Sequence, residues 1–203
     1  PSQILCVTFT NKAAREMSER VQKLVSQNME KMPWMGTFHS IGAKIIRNHA
    51  EVIGLKQSFT ILDKDDQLSL IKQIIKAENL DQSQFSPKLI QSKIDHWKNK
   101  ALNPNDIKSE SLDNLVDEKS LSIYKIYQAR LFEINCLDFG DLLLQCINLF
   151  KVPDIHKRYS NNFKYIHVDE YQDTNAAQYK WLKLLGSHHQ NVCCVGDDDQ
   201  SIY

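Results

Sequence analysis

The sequence predicts an α/β fold, built on a parallel sheet, that is interrupted by an all-helical insertion. Near both ends, runs of apolar and β-branched residues alternate with helical patterns, as at 4–10 and 165–169. The run at 4–10 lacks polar alternation, which is typical of a parallel strand covered on both faces, and the run at 192–195 is also typical of a buried strand. Between about residues 60 and 160, helix signals follow one another and no strand pattern is found. We therefore expect one α/β domain from 1–40 and 160–203, with the insertion at 41–159.

The amino-terminal part predicts two strand segments, each followed by a helix. After the strand at 4–10, Thr10 or Asn11 can cap a helix whose apolar residues recur at helical spacing to about residue 28. The stretch 34–39 is too short for a helix and predicts the end of a strand before the next helix. This alternation indicates a β-α-β-α order at the start of the chain.

Capping residues followed by apolar residues at helical spacing predict the helices of the insertion. One helix spans 121–131, and the others start at Asp63, Ser86-Pro87, Asn103-Pro104 and Asp138. Beyond the insertion, a helix at about 175–185 ends at Gly186 and precedes a strand at 192–196. The α/β pattern therefore returns after the insertion.

Composition excludes several classes of protein. The 203 residues contain 25 Lys and Arg and 25 Asp and Glu, so the overall charge gives no indication of nucleic-acid binding. The cysteines lie in apolar runs without C-x-x-C spacing, which argues against a zinc site and a disulfide framework and favours the reducing cytoplasm. They are Cys6, Cys136, Cys146, Cys193 and Cys194. No apolar run approaches the roughly 20 residues that a membrane span needs, so we expect no membrane partner.

Two predicted strands end in carboxylates. Asp169 and Glu170 close the strand at 165–169, and three aspartates at 197–199 follow the strand at 192–196. In open α/β sheets, ligands bind outside the carboxyl ends of the strands. One carboxylate can hold Mg²⁺ while its neighbour orients or deprotonates a water, which suits nucleotide hydrolysis. A solvated acidic helix start is the alternative interpretation, and the pair alone leaves both open.

The residues around these strand ends carry a resemblance to a known family. DEYQDTN at 169–175 and GDDDQSIY at 196–203 resemble motifs II and III of superfamily 1 DNA helicases of the UvrD, Rep and PcrA family. VTFTNKAA at 7–14 is similar to motif Ia, and GTFHS at 36–40 is similar to motif Ib. LDFGDLL at 137–143 is similar to the segment before motif II. These ordered motifs span nearly the whole chain.

The resemblance implies a specific fold and activity. It makes 1–40 and 160–203 part of the RecA-like motor domain 1A of a P-loop NTPase, and 41–159 the helical domain 1B. The parent would couple ATP hydrolysis, with Mg²⁺, to 3′–5′ translocation on single-stranded DNA and to unwinding at single/double-strand junctions. The DNA, the ATP and the direction are implied by the resemblance alone.

The resemblance also implies a role for three residues around the nucleotide. Asp169 would be the Walker B carboxylate that holds Mg²⁺, largely through water, and Glu170 would activate the attacking water. Gln200 would sense the γ-phosphate, because a neutral amide can contact phosphate oxygen without altering the charge.

The resemblance implies a second set of residues, which would contact DNA. Single strands are held by aromatic faces on which bases stack and by small polar groups that contact phosphates. Without the resemblance, Phe9 is more typical of a core and His39 of an ordinary loop histidine. The implied DNA-binding residues are Thr8, Phe9, Asn11, Thr37, His39 and Tyr203.

A basic, aromatic helix end lies within the predicted insertion. Lys93, Lys98 and Lys100 flank His96 and Trp97. Such a helix end could contact duplex phosphates. A solvated helix face with a core tryptophan is the interpretation that we favour.

No G-x-x-x-x-G-K-[S/T] phosphate loop occurs in the sequence. We therefore expect an internal fragment that neither hydrolyses ATP nor unwinds DNA alone, and an incompletely covered sheet makes its self-association possible. Two other classes stay open. One is a non-catalytic single-stranded DNA-binding module from a truncated gene, and the other is a scaffold domain whose acidic strand ends are merely solvated.

Overall fold

The computed structural model describes residues 1–24, 32–108, 110, 112, 114–197 and 199. The chain divides into two compact units, one formed by Pro1–Ile45 with Cys146–Tyr203 and the other by Ile46–Gln145. The predicted boundaries lay near residues 40 and 160. The assignment of these units to domains 1A and 1B stays a prediction.

The described residues alternate between short strands and longer helices. The strands are β1 (Ile4–Thr8), β2 (Met35–Thr37), β3 (Thr60–Leu62), β4 (Cys136–Asp138), β5 (Tyr165–Val168) and β6 (Val192–Cys194). The α-helices are α1 (Asn11–Leu24), α2 (Phe38–Asn48), α3 (Lys64–Ala77), α4 (Pro87–Asn99), α5 (Leu115–Glu133), α6 (Asp141–Leu149), α7 (Pro153–Asn162) and α8 (Ala176–Leu185). Turns of 3-10 helix cover Ala50–Ile53, Pro104–Asp106 and Tyr171–Asp173.

A four-stranded sheet in the order β2-β1-β5-β6 organises the first unit. Every pairing in it is parallel. The predicted α/β fold with a parallel sheet is therefore confirmed. Because the strands run in one direction, their carboxyl ends lie at the same edge of the sheet.

Coverage of the sheet differs from strand to strand. β1 is buried along nearly its whole length, as expected of a central parallel strand. In β5, Ile166 and Val168 are buried while Tyr165 and His167 are exposed. β6 is exposed at all three residues. The prediction of a buried strand is therefore confirmed for β1 and wrong for β6, since an apolar run does not reveal which faces neighbouring elements cover.

Aromatic side chains pack against one another in the first unit. Trp181 of α8 is fully buried and meets Phe38 of α2 edge-on, with ring centroids 5.8 Å apart. Trp34, just before β2, contacts Tyr159 and Phe163 at centroid distances of 5.9 and 5.2 Å. Edge-to-face pairs of this kind stabilise a core beyond their area burial.

In the second unit, α3, α4 and α5 surround an apolar core, and β3 pairs with β4 in a two-stranded parallel sheet. The predicted all-helical insertion is therefore wrong in this respect. Each strand has three residues, too few to show the period of two that identifies a strand. Their pairing also joins segments more than 70 residues apart, as in Thr60 opposite Cys136.

Most predicted helix starts of the insertion are confirmed. Asp63 caps α3 by accepting hydrogen bonds from two backbone N–H groups of the first turn, and Pro87 occupies the first position of α4. Asp138 ends β4, and its Oδ1 accepts from the backbone N–H of Asp141, where α6 begins, at 2.9 Å. At Asn103, however, only the 3-10 turn Pro104–Asp106 forms, so no α-helix begins there.

Candidate functional site

The carboxyl edge of the first sheet gathers residues that lie far apart in the sequence. Thr8 ends β1 and Thr37 ends β2, and the two are paired in register. One strand further along, the N–H of Asp169 donates to the carbonyl of Val7 at 2.9 Å. The structure therefore brings the segment of the predicted carboxylate pair beside two of the predicted DNA-binding residues.

The chain turns sharply after β5. Glu170 has a φ of +54°, a left-handed conformation that costs roughly 1–2 kcal/mol for a residue with a side chain. It precedes the 3-10 turn Tyr171–Asp173 but makes no side-chain capping bond to it. Instead, Glu170 Oε2 accepts from Gln172 Nε2 at 2.6 Å. The side chain of Glu170 therefore does not make the capping bond that is expected at an acidic helix start.

The segment after β6 is bonded to this turn. The N–H of Val195 donates to Val168 at 2.8 Å, and the N–H of Tyr171 donates to Val195 at 3.0 Å. The N–H of Asp197 donates to Gln172 Oε1 at 3.1 Å. Two strand ends that are separated by more than 20 residues thus form one hydrogen-bonded surface, on which the half-buried Asp169 and Glu170 lie.

The two threonines of the predicted DNA-binding set are buried. Thr37 Oγ1 accepts from the N–H of Ser40 at 3.2 Å and so caps the start of α2. Thr8 Oγ1 is buried without a hydrogen-bond partner. Buried hydroxyl groups are normally hydrogen-bonded, so the Thr8 hydroxyl is an exception among buried polar groups.

The other described members of that set lie nearer the surface. Phe9 is 46% exposed, so the general expectation of a core phenylalanine is wrong here. Asn11 is exposed at the first position of α1. His39 is half-buried in the first turn of α2, and burial lowers the pKa of its ring, so the imidazole is neutral near pH ~7. Tyr203 lies outside the described residues, as does Gln200 of the predicted nucleotide site.

The basic helix end of the second unit differs from the expected solvated face. Lys98 is 1% exposed, and its Nζ lies 2.7 Å from Asp138 Oδ2 and 2.9 Å from Asp141 Oδ1. Trp97 is partly buried and stacks on Tyr124, with ring centroids 5.8 Å apart. The core tryptophan is thus confirmed. The prediction of a solvated side chain is wrong for Lys98. Its carboxylate partners lie 40 or more residues away in the sequence, so local spacing does not indicate them.

Comparison with known proteins decides the family. The UvrD/REP helicase N-terminal domain matches the chain over residues 1–203. The chain belongs to this family. The ATP-dependent DNA helicases PcrA of Staphylococcus aureus (strain Mu50) and Staphylococcus epidermidis (strain RP62A) are 48% and 47% identical to it over its whole length. The chain spans 28% of the length of each.

Two further residues of this UvrD/REP helicase N-terminal domain lie at the site, although the sequence alone gives neither of them a role. Gln172 bridges the turn after β5 and the segment after β6. Gly196 lies against it, and a Cβ added there would be 2.6 Å from Gln172 Oε1. Both residues lie within the segments that resemble motifs II and III, and this position was the only indication of a role. The sequence of a motif does not show which side chains contact each other.

The carboxylates of the UvrD/REP domain fit Mg²⁺ of the kind that accompanies a nucleotide. Within the described ranges, no three His, Cys, Asp or Glu residues cluster as a metal cage. Mg²⁺ at nucleotide sites uses one or two carboxylates together with waters and substrate phosphates. Asp169 and Glu170 at the sheet edge are two adjacent carboxylates of the type that such a site uses.

No helix in the described part of the chain is long and apolar enough to span a membrane.

Proposed function

We propose that this chain is part of an ATP-dependent DNA helicase that couples ATP hydrolysis to 3′–5′ translocation on single-stranded DNA and to unwinding at single/double-strand junctions. The observation that carries the proposal is the adjacent pair Asp169 and Glu170 at the carboxyl edge of β5, hydrogen-bonded through Gln172 to the segment after β6. The family membership and the PcrA relatives, which are named as ATP-dependent DNA helicases, support it.

In the complete protein, ATP and Mg²⁺ would occupy this edge, where Mg²⁺ offsets the negative charge of the phosphates. Asp169 would hold the ion, largely through water. Glu170 orients the attacking water and accepts its proton, a role that requires a carboxylate held in a fixed position. Gln200 senses the γ-phosphate through its side-chain amide, a role proposed from the motif resemblance.

The DNA strand would run over the same sheet edge. Phe9 offers an exposed ring on which a base can stack. Asn11 and the neutral His39 can donate hydrogen bonds to phosphate or sugar oxygens without adding charge. Thr8, Thr37 and Tyr203 complete the proposed set. The free cysteines support a reducing compartment, and we place the parent in the cytoplasm.

Substitution of Glu170 tests the catalytic part of the proposal. In the complete protein, Glu170→Gln should abolish DNA-stimulated ATP turnover and leave nucleotide binding largely intact, because the amide keeps the shape of the side chain but cannot take a proton. Turnover by malachite-green assay and binding of a fluorescent ATP analogue would be measured together. Glu51→Gln, at an exposed position of the second unit, is the matched control and should behave as wild type.

The outcomes of this experiment separate the alternatives. Loss of nucleotide binding in Glu170→Gln would assign that residue a structural role. If the complete wild-type protein binds labelled single-stranded DNA in a salt-dependent manner but turns over no ATP, it is a non-catalytic DNA-binding module. The 203-residue chain alone should be inactive, since its sequence holds no phosphate loop. DNA-stimulated turnover by the purified chain would contradict that part of the proposal.

A further inference from the structure

We propose that Gln172 is a positioning residue that holds the carboxylate of Glu170 and ties it to the chain after β6. The inference rests on the proposed function, since it gives Gln172 its importance through the water-activating role of Glu170. Gln172 itself would not touch the nucleotide. Its contribution would be to fix where the carboxylate of Glu170 lies.

The side-chain amide of Gln172 uses both of its ends. Its Nε2 donates to Glu170 Oε2 at 2.6 Å, and its Oε1 accepts from the backbone N–H of Asp197 at 3.1 Å. An ionised carboxylate can only accept and a backbone N–H can only donate. The two partners therefore fix the orientation of the amide, since a flipped amide would face an acceptor with its oxygen and a donor with its nitrogen.

Gly196 keeps the space that this bridge needs. A Cβ at that position would lie 2.6 Å from Gln172 Oε1 and 3.3 Å from the backbone nitrogen of Gln172. Real Cβ atoms do not approach other atoms as closely as the first of these distances. Any side chain larger than hydrogen would displace the amide from Asp197 or from Glu170.

The backbone of Glu170 explains why a positioning residue is useful there. Its φ of +54° places the residue in a turn where its side chain makes no capping bond. A carboxylate with several rotatable bonds would sample many positions, and a misplacement of about 1 Å at a reacting group can cost on the order of 100-fold in rate. The short bond from Gln172 restricts those positions. The bond to Asp197 makes the restriction depend on the segment after β6.

Three variants of the complete protein separate the two bonds. Gln172→Met has a similar length and loses both. Gln172→Glu can still accept from Asp197 but places a second carboxylate beside Glu170. Gly196→Ala leaves Gln172 in the sequence and displaces it.

The expected result is a loss of kcat for DNA-stimulated ATP hydrolysis with little change in KM for ATP. The loss should be on the order of 10- to 100-fold in Gln172→Met and Gly196→Ala, and larger in Gln172→Glu because like charges repel. Gln73→Met, at an exposed position of α3, is the control and should retain the wild-type kcat. In a Glu170→Gln background, Gln172→Met should cause no further loss of the residual hydrolysis that a single-turnover assay with excess enzyme detects.

Hydrogen exchange in the nucleotide-free protein supplies a readout that does not depend on activity. The amide of Asp197 should exchange faster in Gln172→Met, which removes its acceptor, and remain protected in Gln172→Glu, which keeps one. Equal protection of this amide in Gln172→Met and in the wild type would show that the bridge is absent and would overturn the inference.

The kinetic outcomes distinguish this inference from the proposed function. If Glu170→Gln retains full turnover, the proposed function itself is wrong. If Glu170→Gln is inactive while Gln172→Met keeps the wild-type kcat, only the inference is overturned. Gln172→Met could also raise KM as much as it lowers kcat and add to the defect of Glu170→Gln. That result would show a merely structural role for Gln172 and would overturn the inference as well.

Discussion

Lys98 shows how a single charged residue can lie inside a core. Its ammonium group contacts Asp138 and Asp141, and Tyr127 Oη donates to Asp138 Oδ2 at 2.9 Å. Burial disfavours the charged ammonium, but the two carboxylates outweigh burial and raise the pKa of Lys98. Burial and the charge of Asp138 raise the pKa of Asp141 to about 6. Burial would also raise the pKa of Asp138, but Lys98 outweighs it and lowers that pKa.

Removal of the Lys98 charge should strongly destabilise the chain. Lys98→Met keeps the apolar stem but leaves two buried carboxylates uncompensated, which should lower the free energy of unfolding by about 3–5 kcal/mol. The loss should be smaller near pH ~5 than near pH ~8, because acid neutralises carboxylates that burial disfavours. Urea unfolding of the 203-residue chain measures both effects. Lys88→Met, at an exposed position of the same helix, is the control, and equal stability of the two variants would contradict the prediction.

The sequence indicated the members of this cluster but not their contact. Asp138 was predicted as a helix cap, and its Oδ1 does accept from the N–H of Asp141. Its Oδ2 meanwhile binds Lys98, which is 40 residues earlier in the chain. A local pattern determines capping, whereas the ion pair depends on how α4 packs beside β4. No spacing rule could therefore predict it.

At the scale of elements, the turn after β5 should prefer glycine at position 170. Glu170→Gly and Glu170→Ala both lose the bond from Gln172, so their stabilities differ through the left-handed backbone alone. Glycine adopts this conformation without a Cβ clash, and we expect Glu170→Gly to be more stable than Glu170→Ala by about 1 kcal/mol. Thermal and urea unfolding of the 203-residue chain would measure the difference.

A helical position supplies the control for this comparison. Glu16 is exposed within α1, where glycine is less favourable than alanine by about 1 kcal/mol. Glu16→Gly should therefore be less stable than Glu16→Ala, the reverse of the order at position 170. The same order at both positions would mean that the turn is not strained in solution.

Elements with strong local signals were predictable, and elements that depend on distant partners were not. The cap at Asp63 and the helix ending near Gly186 follow from residues within a few positions, and both are present as α3 and α8. β3 and β4 have three residues each and form only because they pair with each other. The acidic strand end at Asp169 was predictable because the apolar run stops there. The bridge by Gln172 required the position of β6.

At the scale of the whole molecule, the order of the strands determines which strand lies exposed at the edge of the sheet. The sequence predicted parallel strands but not the order β2-β1-β5-β6, because strand order is set by contacts between distant segments. In the described residues β5 is the strand partner of β6, and the side chains of β6 are exposed. An exposed edge strand offers unpaired backbone groups to another chain.

This edge should cause the isolated 203-residue chain to self-associate. Val195, which follows β6, is 59% exposed, and a lysine there would oppose pairing of two edges by charge repulsion. Sedimentation velocity over about a hundredfold range of concentration should show a dimer or larger species for wild type and a smaller fraction of it for Val195→Lys. Reductant is required throughout because Cys193 and Cys194 are exposed. Val52→Lys, with 54% exposure in the second unit, is the matched control. If it reduces association as much as Val195→Lys does, the β6 edge is not the contact surface.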